Sequence, residues 1–267
     1  MNLPQSRSDR WVLVTGASSG IGEAFVRRYA REGWNVAMVA RSRQKLEAIA
    51  QELGRTHQVR TLVIEADLSN HRAPREIFDT TARAGIEIEA LVNNAGFGSP
   101  GKFWEAPLER YLAMIDVHVR SLLELTHLYM GGMINRRRGA IINVSSMASF
   151  QPLPYSSVYS ATKAFVTALT EALWMESQGT GVRVINLCPG LTKTDFGLKA
   201  GHGDFHQLYY AETAEQVVET TFRALKGHWP TVISGWMNRV LYFMVRLTPH
   251  RILLVCLPWI QKIRKRS

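Results

Sequence analysis

Thr15-Gly16-Ala17-Ser18-Ser19-Gly20-Ile21-Gly22 follows directly on the apolar run Trp11–Thr15 and opens into 22–33, GEAFVRRYAREG. The run reads as a buried strand. The segment after it reads as an amphipathic helix closed by Gly33. Glycines let the chain turn tightly here and come close to a ligand. Free N–H groups at a helix start, with the helix dipole behind them, favour a phosphate. The spacing is GxxxGxG rather than the commoner GxGxxG, so taken alone it is a weak fingerprint. The same residues also match G-x-S-x-G, the nucleophile elbow of hydrolases. That serine normally stands mid-sheet, after several strands, whereas Ser18 follows the first.

Outward from this turn, short apolar runs keep alternating with helical patterns. Asn35–Ala40, 61–66, 89–96, 140–146, 182–190 and 231–234 read as strands. The segments 44–54, 74–84, 108–136, 157–178 and 214–225 read as helices, the first of them closed by Gly54. Strands alternating with helices mean βαβ units. Runs apolar on both faces suit a parallel sheet covered on both sides. The expected fold is α/β: a Rossmann-type doubly wound parallel sheet of about seven strands, with its ligand site at the strands' carboxyl ends. No repeat or linker interrupts the chain before residue 228. Residues 1–235 therefore read as one domain, and 236–267 as a basic amphipathic extension.

Composition narrows the function classes. A chain of 267 residues buries a core without staples. Its two cysteines, Cys188 and Cys256, exclude a disulfide framework and a thiolate zinc site, and no metal is expected. The polar N-terminus lacks the apolar core of a secretory signal, which points to a cytoplasmic location. The net charge is +10, and 228–267 holds seven Lys and Arg with no Asp or Glu. No zinc finger or RNA-recognition signature accompanies that charge, so nucleic acid is not the expected partner.

Within 236–267, Val240, Leu241, Phe243, Met244 and Leu247 form a broad apolar face beside Arg239 and Arg246. Pro249 ends that helix, and 252–261 is apolar again, with Pro258 inside it, before the chain closes on Lys262, Arg264, Lys265 and Arg266. About 20 apolar residues are needed to span a bilayer, so this is not a transmembrane helix. Two readings stand: packing on the protein itself or a neighbouring subunit, and peripheral docking on an anionic membrane surface.

A second constellation carries chemistry. Tyr159 and Lys163 are four residues apart and share a helix face. A free tyrosine has a pKa of about 10. A nearby ammonium, or the positive charge of an oxidised nicotinamide, favours the phenolate, so a lowered Tyr159 pKa is expected. Tyr159 could then exchange a proton with a carbonyl or alcohol oxygen, with Ser146 bonding the same oxygen. At the end of the second strand stands Arg41, followed by Arg43, with no acid until Glu47. An acid there would hold the ribose hydroxyl of NAD, whereas an arginine accommodates the 2′-phosphate of NADP. The expected cofactor is NADP(H).

These motifs together resemble the short-chain dehydrogenase/reductase family, and most closely its DltE-like bacterial subgroup. Residues 15–22 look like its cofactor turn, which implies that Gly16, Ser18, Ser19, Gly20, Ile21 and Gly22 bind the cofactor. Asp67 and Leu68 resemble its adenine contact, and Asn93-Asn94-Ala95-Gly96 its NNAG element. Ser146 with Tyr159-Ser160-Ala161-Thr162-Lys163 resembles its serine and YxxxK pair. Pro189, Gly190, Thr192 and Thr194 resemble the segment that closes over the nicotinamide. The resemblance spans about residues 10–235. It implies a homodimer or homotetramer built through the long helices.

One position departs from the pattern: Asp116-Val117-His118-Val119 carries His118 where the family has asparagine. There the asparagine stabilises a helix kink whose carbonyl holds a water leading to the lysine. His118 reads either as a buried histidine or as a proton shuttle. The departure leaves a catalytically weak NADP-binding protein as the alternative to an active carbonyl reductase. Phe97, Phe103, Trp104, Phe150, Leu153, Tyr155, Leu191, Phe196, Phe205 and Tyr209 gather after the strand ends, and imply a hydrophobic ketone or aldehyde as substrate.

Overall fold

The computed structural model describes residues 9–200, 204–208, 211–227 and 229–256. Tyr209 and the basic end from Lys262 to Arg266 lie outside them. The chain forms β1 (Trp11–Thr15), α1 (Gly20–Arg31), β2 (Asn35–Ala40), α2 (Arg43–His57), β3 (Thr61–Glu65), α3 (Ala73–Arg83) and β4 (Ile88–Asn93). It continues through α4 (Leu108–Ile115), a π-helical turn (Asp116–Arg120), α5 (Ser121–Asn135), β5 (Gly139–Val144), α6 (Ser157–Glu176) and β6 (Val182–Cys188). β7 (Thr192–Lys193), α7 (Phe196–Ala200), β8 (Glu212–Thr213), α8 (Ala214–Ala224), β9 (Thr231–Ile233) and α9 (Trp236–Leu247) complete it.

The main sheet has seven strands in the order β3-β2-β1-β4-β5-β6-β9. Every pairing is parallel. Each inner strand feeds both faces. Val12 and Val14 of β1 join Phe25, Val26, Leu46, Leu53, Val217 and Val218 on the side of α1, α2 and α8. Trp11 and Leu13 point the other way, to Ile77, Leu125, Tyr129 and Met133 on the side of α3 and α5. That period of two, with apolar residues on both phases, is why the strands read as unbroken hydrophobic runs. Strand order reverses between β1 and β4, so a crevice opens at their carboxyl ends.

The helix boundaries depart from expectation in two places. α2 does not end at Gly54 but runs to His57, and Gln58 takes the left-handed cap conformation, with φ 54°. Gly54 stays helical, and the exposed turn beyond it is continued by local bonds, the Thr56 hydroxyl donating to the Glu52 carbonyl at 2.8 Å. The expected continuous helix over 108–136 is split by the π turn, where the Ser121 N–H reaches the Asp116 carbonyl. Such turns concentrate at functional sites.

Candidate active site

The glycine turn sits at the switch point and is held from below. Gly16 and Gly20 have φ of 66° and 59°, conformations that side chains disfavour. A Cβ at Gly22 would lie 2.2 Å from the Gly16 carbonyl oxygen, and one at Gly16 would lie 2.9 Å from Ala95 Cα. The loop after β4 braces the turn. Thr15 Oγ1 accepts the N–H groups of Asn94 and Ala95 at 2.9 and 3.0 Å. Asn94 Nδ2 in turn donates to the Thr15 carbonyl at 2.9 Å. Asn94 therefore acts on the turn directly. Thr15, absent from the expected site, is the hinge of the brace; only the pairing of β1 with β4 reveals it. Ser19 is the N-cap of α1, yet its side chain makes no capping bond to the first N–H groups of that helix. Thr194 leans over Gly20, its methyl 3.1 Å from where a Cβ would stand.

Arg41 stands exposed at the end of β2. Arg43 is committed elsewhere, its Nε 2.7 Å from Glu47 Oε1. Burial pushes the Asp67 carboxyl up, but hydrogen bonds from the Ser69 N–H and hydroxyl, helped by the charge of Arg41, bring it below its usual range. Leu68 is buried, and its carbonyl accepts the Ser121 hydroxyl at 2.6 Å.

Ser146, Tyr159 and Lys163 converge beyond β5. Ser146 caps the short 3-10 turn Met147–Phe150, its Oγ accepting the Ala148 N–H at 3.1 Å. Lys163 is buried, and its Nζ donates to the Val144 carbonyl at 2.8 Å. That Nζ lies 5.9 Å from the centre of the Tyr159 ring. The expectation of a lowered Tyr159 pKa is not met in this structure. Burial raises it, and a hydrogen bond with Ser146 only partly offsets the effect. Burial also pulls Lys163 down, to about 8. The reason is common to both: a phenolate and an ammonium each lose hydration in the same enclosed site.

His118 is buried on the π turn. Its Nε2 accepts the Phe97 N–H at 3.0 Å, and its Nδ1 meets Thr162 Oγ1 at 2.9 Å. Burial, and then the charge of Lys163, push its pKa well below the usual histidine value. Asn93 turns away from the site, its Nδ2 donating to Asn143 Oδ1 at 2.9 Å within the sheet.

Phe196 comes within 6.0 Å of the Tyr159 ring, and Phe97 packs on His118 at 5.9 Å. Phe103 and Trp104 face outward, 58% and 78% exposed, and do not line this enclosure. Leu153, Tyr155 and Leu191 are half-buried, and Phe205 is buried. The Pro189 carbonyl takes the Met147 N–H at 3.0 Å, tying the loop after β6 to the Ser146 turn. Two contributors come from α9. Tyr242 packs edge-on against Phe150 at 4.6 Å, and Asn238 fills the space where a Gly190 side chain would stand. The first part of the extension thus packs on the protein itself, one of the two readings of the sequence, and reaches the walls of the site. Nothing in its own periodicity marks Asn238 or Tyr242. Among the described residues no group of three or more His, Cys, Asp or Glu could hold a metal ion.

A parallel sheet with a braced glycine turn at its switch point, and a Ser-Tyr-Lys cluster one strand away, defines a nucleotide-dependent dehydrogenase type of site. The family model described as short chain dehydrogenase matches residues 10–203, and the chain belongs to that family of oxidoreductases. The nucleophile-elbow reading of Ser18 is thereby set aside. The 7beta-hydroxysteroid dehydrogenase of Collinsella aerofaciens is 36% identical over 242 residues, covering 90% of each chain. The sulfoacetaldehyde reductase 2 of Chromohalobacter salexigens is 36% identical over 219 residues, 79% of this chain and 86% of that one. Among solved structures, one described for 7beta-hydroxysteroid dehydrogenase stereoselectivity superposes with a TM-score of 0.86 at 33% identity, over 97% of this chain and 100% of that one. A short-chain dehydrogenase from Sphingobium yanoikuyae in complex with NADPH gives 0.78 at 30% identity, over 84% and 87%.

Proposed function

We propose that this protein is an NADP(H)-dependent reductase that interconverts a hydrophobic ketone or aldehyde and its alcohol, with Tyr159 as general acid and base. The observation that carries the reading is the convergence of Ser146, Tyr159 and Lys163 beside the braced glycine turn. The residues present suit the cofactor. The Ser19 side chain makes no capping bond at the start of α1, the turn before it is packed too tightly at Gly16 and Gly22 for side chains, and Arg41 is exposed beside Asp67. Gly16, Ser18, Ser19, Gly20, Ile21 and Gly22 would hold the pyrophosphate, Arg41 the 2′-phosphate, Asp67 and Leu68 the adenine, and Ala95, Gly96, Pro189, Gly190, Thr192 and Thr194 the nicotinamide half. When bound, the cofactor supplies the hydride. Solved relatives in complex with NADPH and NADP+ support that choice.

The chain's own part is proton transfer and orientation. Ser146 and Tyr159 hydroxyls receive the substrate oxygen. In reduction Tyr159 gives its proton to that oxygen, and Lys163 steadies the phenolate that forms. In oxidation the same proton returns. Phe97, Phe150, Phe196 and Tyr242 supply apolar walls, and relatives named for hydroxysteroids make bulky alicyclic ketones the first substrates to try.

Two further parts belong to this reading. Leu112, Ile115, Leu123 and Phe165 are exposed on α4, α5 and α6, which suits a homodimer or homotetramer through those helices. α9 leaves Val240, Leu241, Phe243, Met244 and Leu247 exposed beside Arg239 and Arg246, which suits peripheral docking on anionic lipid. Among the described residues no helix is long and apolar enough to cross a membrane.

The test is NADPH oxidation over a panel of ketones and aldehydes that runs from small linear compounds to steroid ketones. Tyr159→Phe should lower turnover at least about a thousandfold and leave NADPH binding intact. Turnover that survives this change overturns the assignment of Tyr159.

A further inference from the structure

His118 sits where two parts of the site meet, and both of its nitrogens are engaged. The direction of one bond follows from its neighbour. The Thr162 hydroxyl proton is directed to the Tyr159 carbonyl at 2.8 Å. Thr162 Oγ1 therefore faces His118 as an acceptor, and Nδ1, 2.9 Å away, carries the ring proton. The Phe97 N–H makes the same demand from the other side, because Nε2 accepts at 3.0 Å only when bare. Two independent partners thus select one neutral tautomer. Packing agrees. A Cβ on Gly96 would come within 2.8 Å of Nε2, so the ring lies against the backbone of the loop after β4. The ring is also edge-on to Tyr159, with centres 5.7 Å apart.

We propose that His118 is a positioning residue: a neutral imidazole clamp that joins the loop over 94–97 to the first turns of α6 and sets the Tyr159 main chain against that loop. The inference rests on the reading of Tyr159 as acid and base. His118 carries no proton in the reaction. Its one proton is held by Thr162, and a second would have to displace the Phe97 N–H inside a buried site that also contains the Lys163 ammonium. The clamp differs in kind from a side chain that merely fills a kink, since it spans from one loop to another helix.

The test separates the two halves of the clamp. An asparagine amide stands where Nδ1 is, so His118→Asn keeps only the Thr162 bond. A glutamine amide reaches the Nε2 position, so His118→Gln keeps only the Phe97 bond. His118→Ala keeps neither. In the full-length protein, 15N spectra of labelled histidine, assigned by difference from His118→Ala, should show Nδ1 protonated and Nε2 bare from about pH 5.5 to 8.5. With the best substrate of the panel, His118→Ala should lose about tenfold in kcat, with the Kd for NADPH within about twofold of the parent. The asparagine and glutamine variants should fall between, and the pH profile of kcat should keep its shape throughout. An imidazolium signal or a displaced limb of the pH profile in His118→Asn makes His118 a proton carrier and overturns the proposal, and an Nε2–H tautomer overturns it by breaking the Phe97 half of the clamp. An unchanged kcat in His118→Ala overturns it too. The tautomer is read without turnover, so a failure of the clamp and a failure of the enzymatic reading are distinguishable.

Discussion

At the scale of single residues, charge and solvation decide the outcomes. Arg41 is exposed at the end of β2, next to Asp67 and with no acid of its own strand beside it. A charge-assisted phosphate contact contributes about 1.5–3 kcal/mol, so Arg41→Ala should weaken NADPH binding about 10–100-fold and leave NADH nearly unchanged. Equal losses for both cofactors in a binding titration would remove the phosphate from Arg41. Lys163 illustrates the cost of chemistry. Burial lowers its pKa from 10.5 to about 8. The unfolded chain therefore binds more protons than the native one between these values, and stability rises with pH across that window. At neutral pH the buried ammonium costs on the order of 3 kcal/mol, less about 1 kcal/mol for its bond to Val144. Lys163→Met should then abolish turnover yet raise the stability of the cofactor-free protein by about 2 kcal/mol in denaturant unfolding at pH 7. A destabilised variant would show that Lys163 holds the fold as well as the site.

At the scale of elements, two glycines in helices do opposite things. Gly22 opens α1 against the Gly16 carbonyl, while Gly54 lies inside α2 with nothing within 4 Å of where a Cβ would stand. Gly22→Ala should cost on the order of 3 kcal/mol through forced displacement of the turn, and should weaken nucleotide binding with it. Gly54→Ala should stabilise by about 0.5–1 kcal/mol, because alanine loses less freedom on entering a helix. Thermal unfolding of the pair checks both, and shifts of the same sign would contradict the account. Gly54 does not stop α2 because the left-handed position that a terminal glycine would fill falls at Gln58 instead, while Gly54 itself stays helical.

At the scale of the whole molecule, α9 presents two different faces. Asn238, Tyr242 and the buried Val245 face the protein, and Tyr242 closes on Phe150 beside the Ser146 turn. The other face leaves Phe243, Met244 and Leu247 exposed at 61%, 60% and 82%. In a sedimentation assay the full-length protein should bind vesicles rich in anionic lipid at low salt, with partial release as salt rises. Phe243→Glu combined with Leu247→Glu should abolish that binding and leave folding intact, since both side chains are exposed. Parent protein that stays in the supernatant at low salt would leave a neighbouring subunit as the cover for this face.

The order of strands and helices, the glycine turn, the Tyr159–Lys163 pair and Arg41 were legible in the sequence alone. Each of these rests on local physics: residue periodicity, the φ freedom of glycine, the four-residue repeat of a helix, and the charge of an arginine at a strand end. The remaining features arise between segments far apart in the chain. Thr15 braces the loop after β4 through two N–H groups 79 and 80 residues away. His118 takes its tautomer from Phe97 and Thr162, and no reading of Asp116-Val117-His118-Val119 could assign it. The rise in the Tyr159 pKa depends on how much water the assembled walls exclude, and a neighbouring lysine in the sequence says nothing about that. Tyr242 joins the site only because β9 returns α9 to the Ser146 turn. Local pattern specifies which element a residue builds; burial and partners, set by the packing of distant segments, specify what that residue can do.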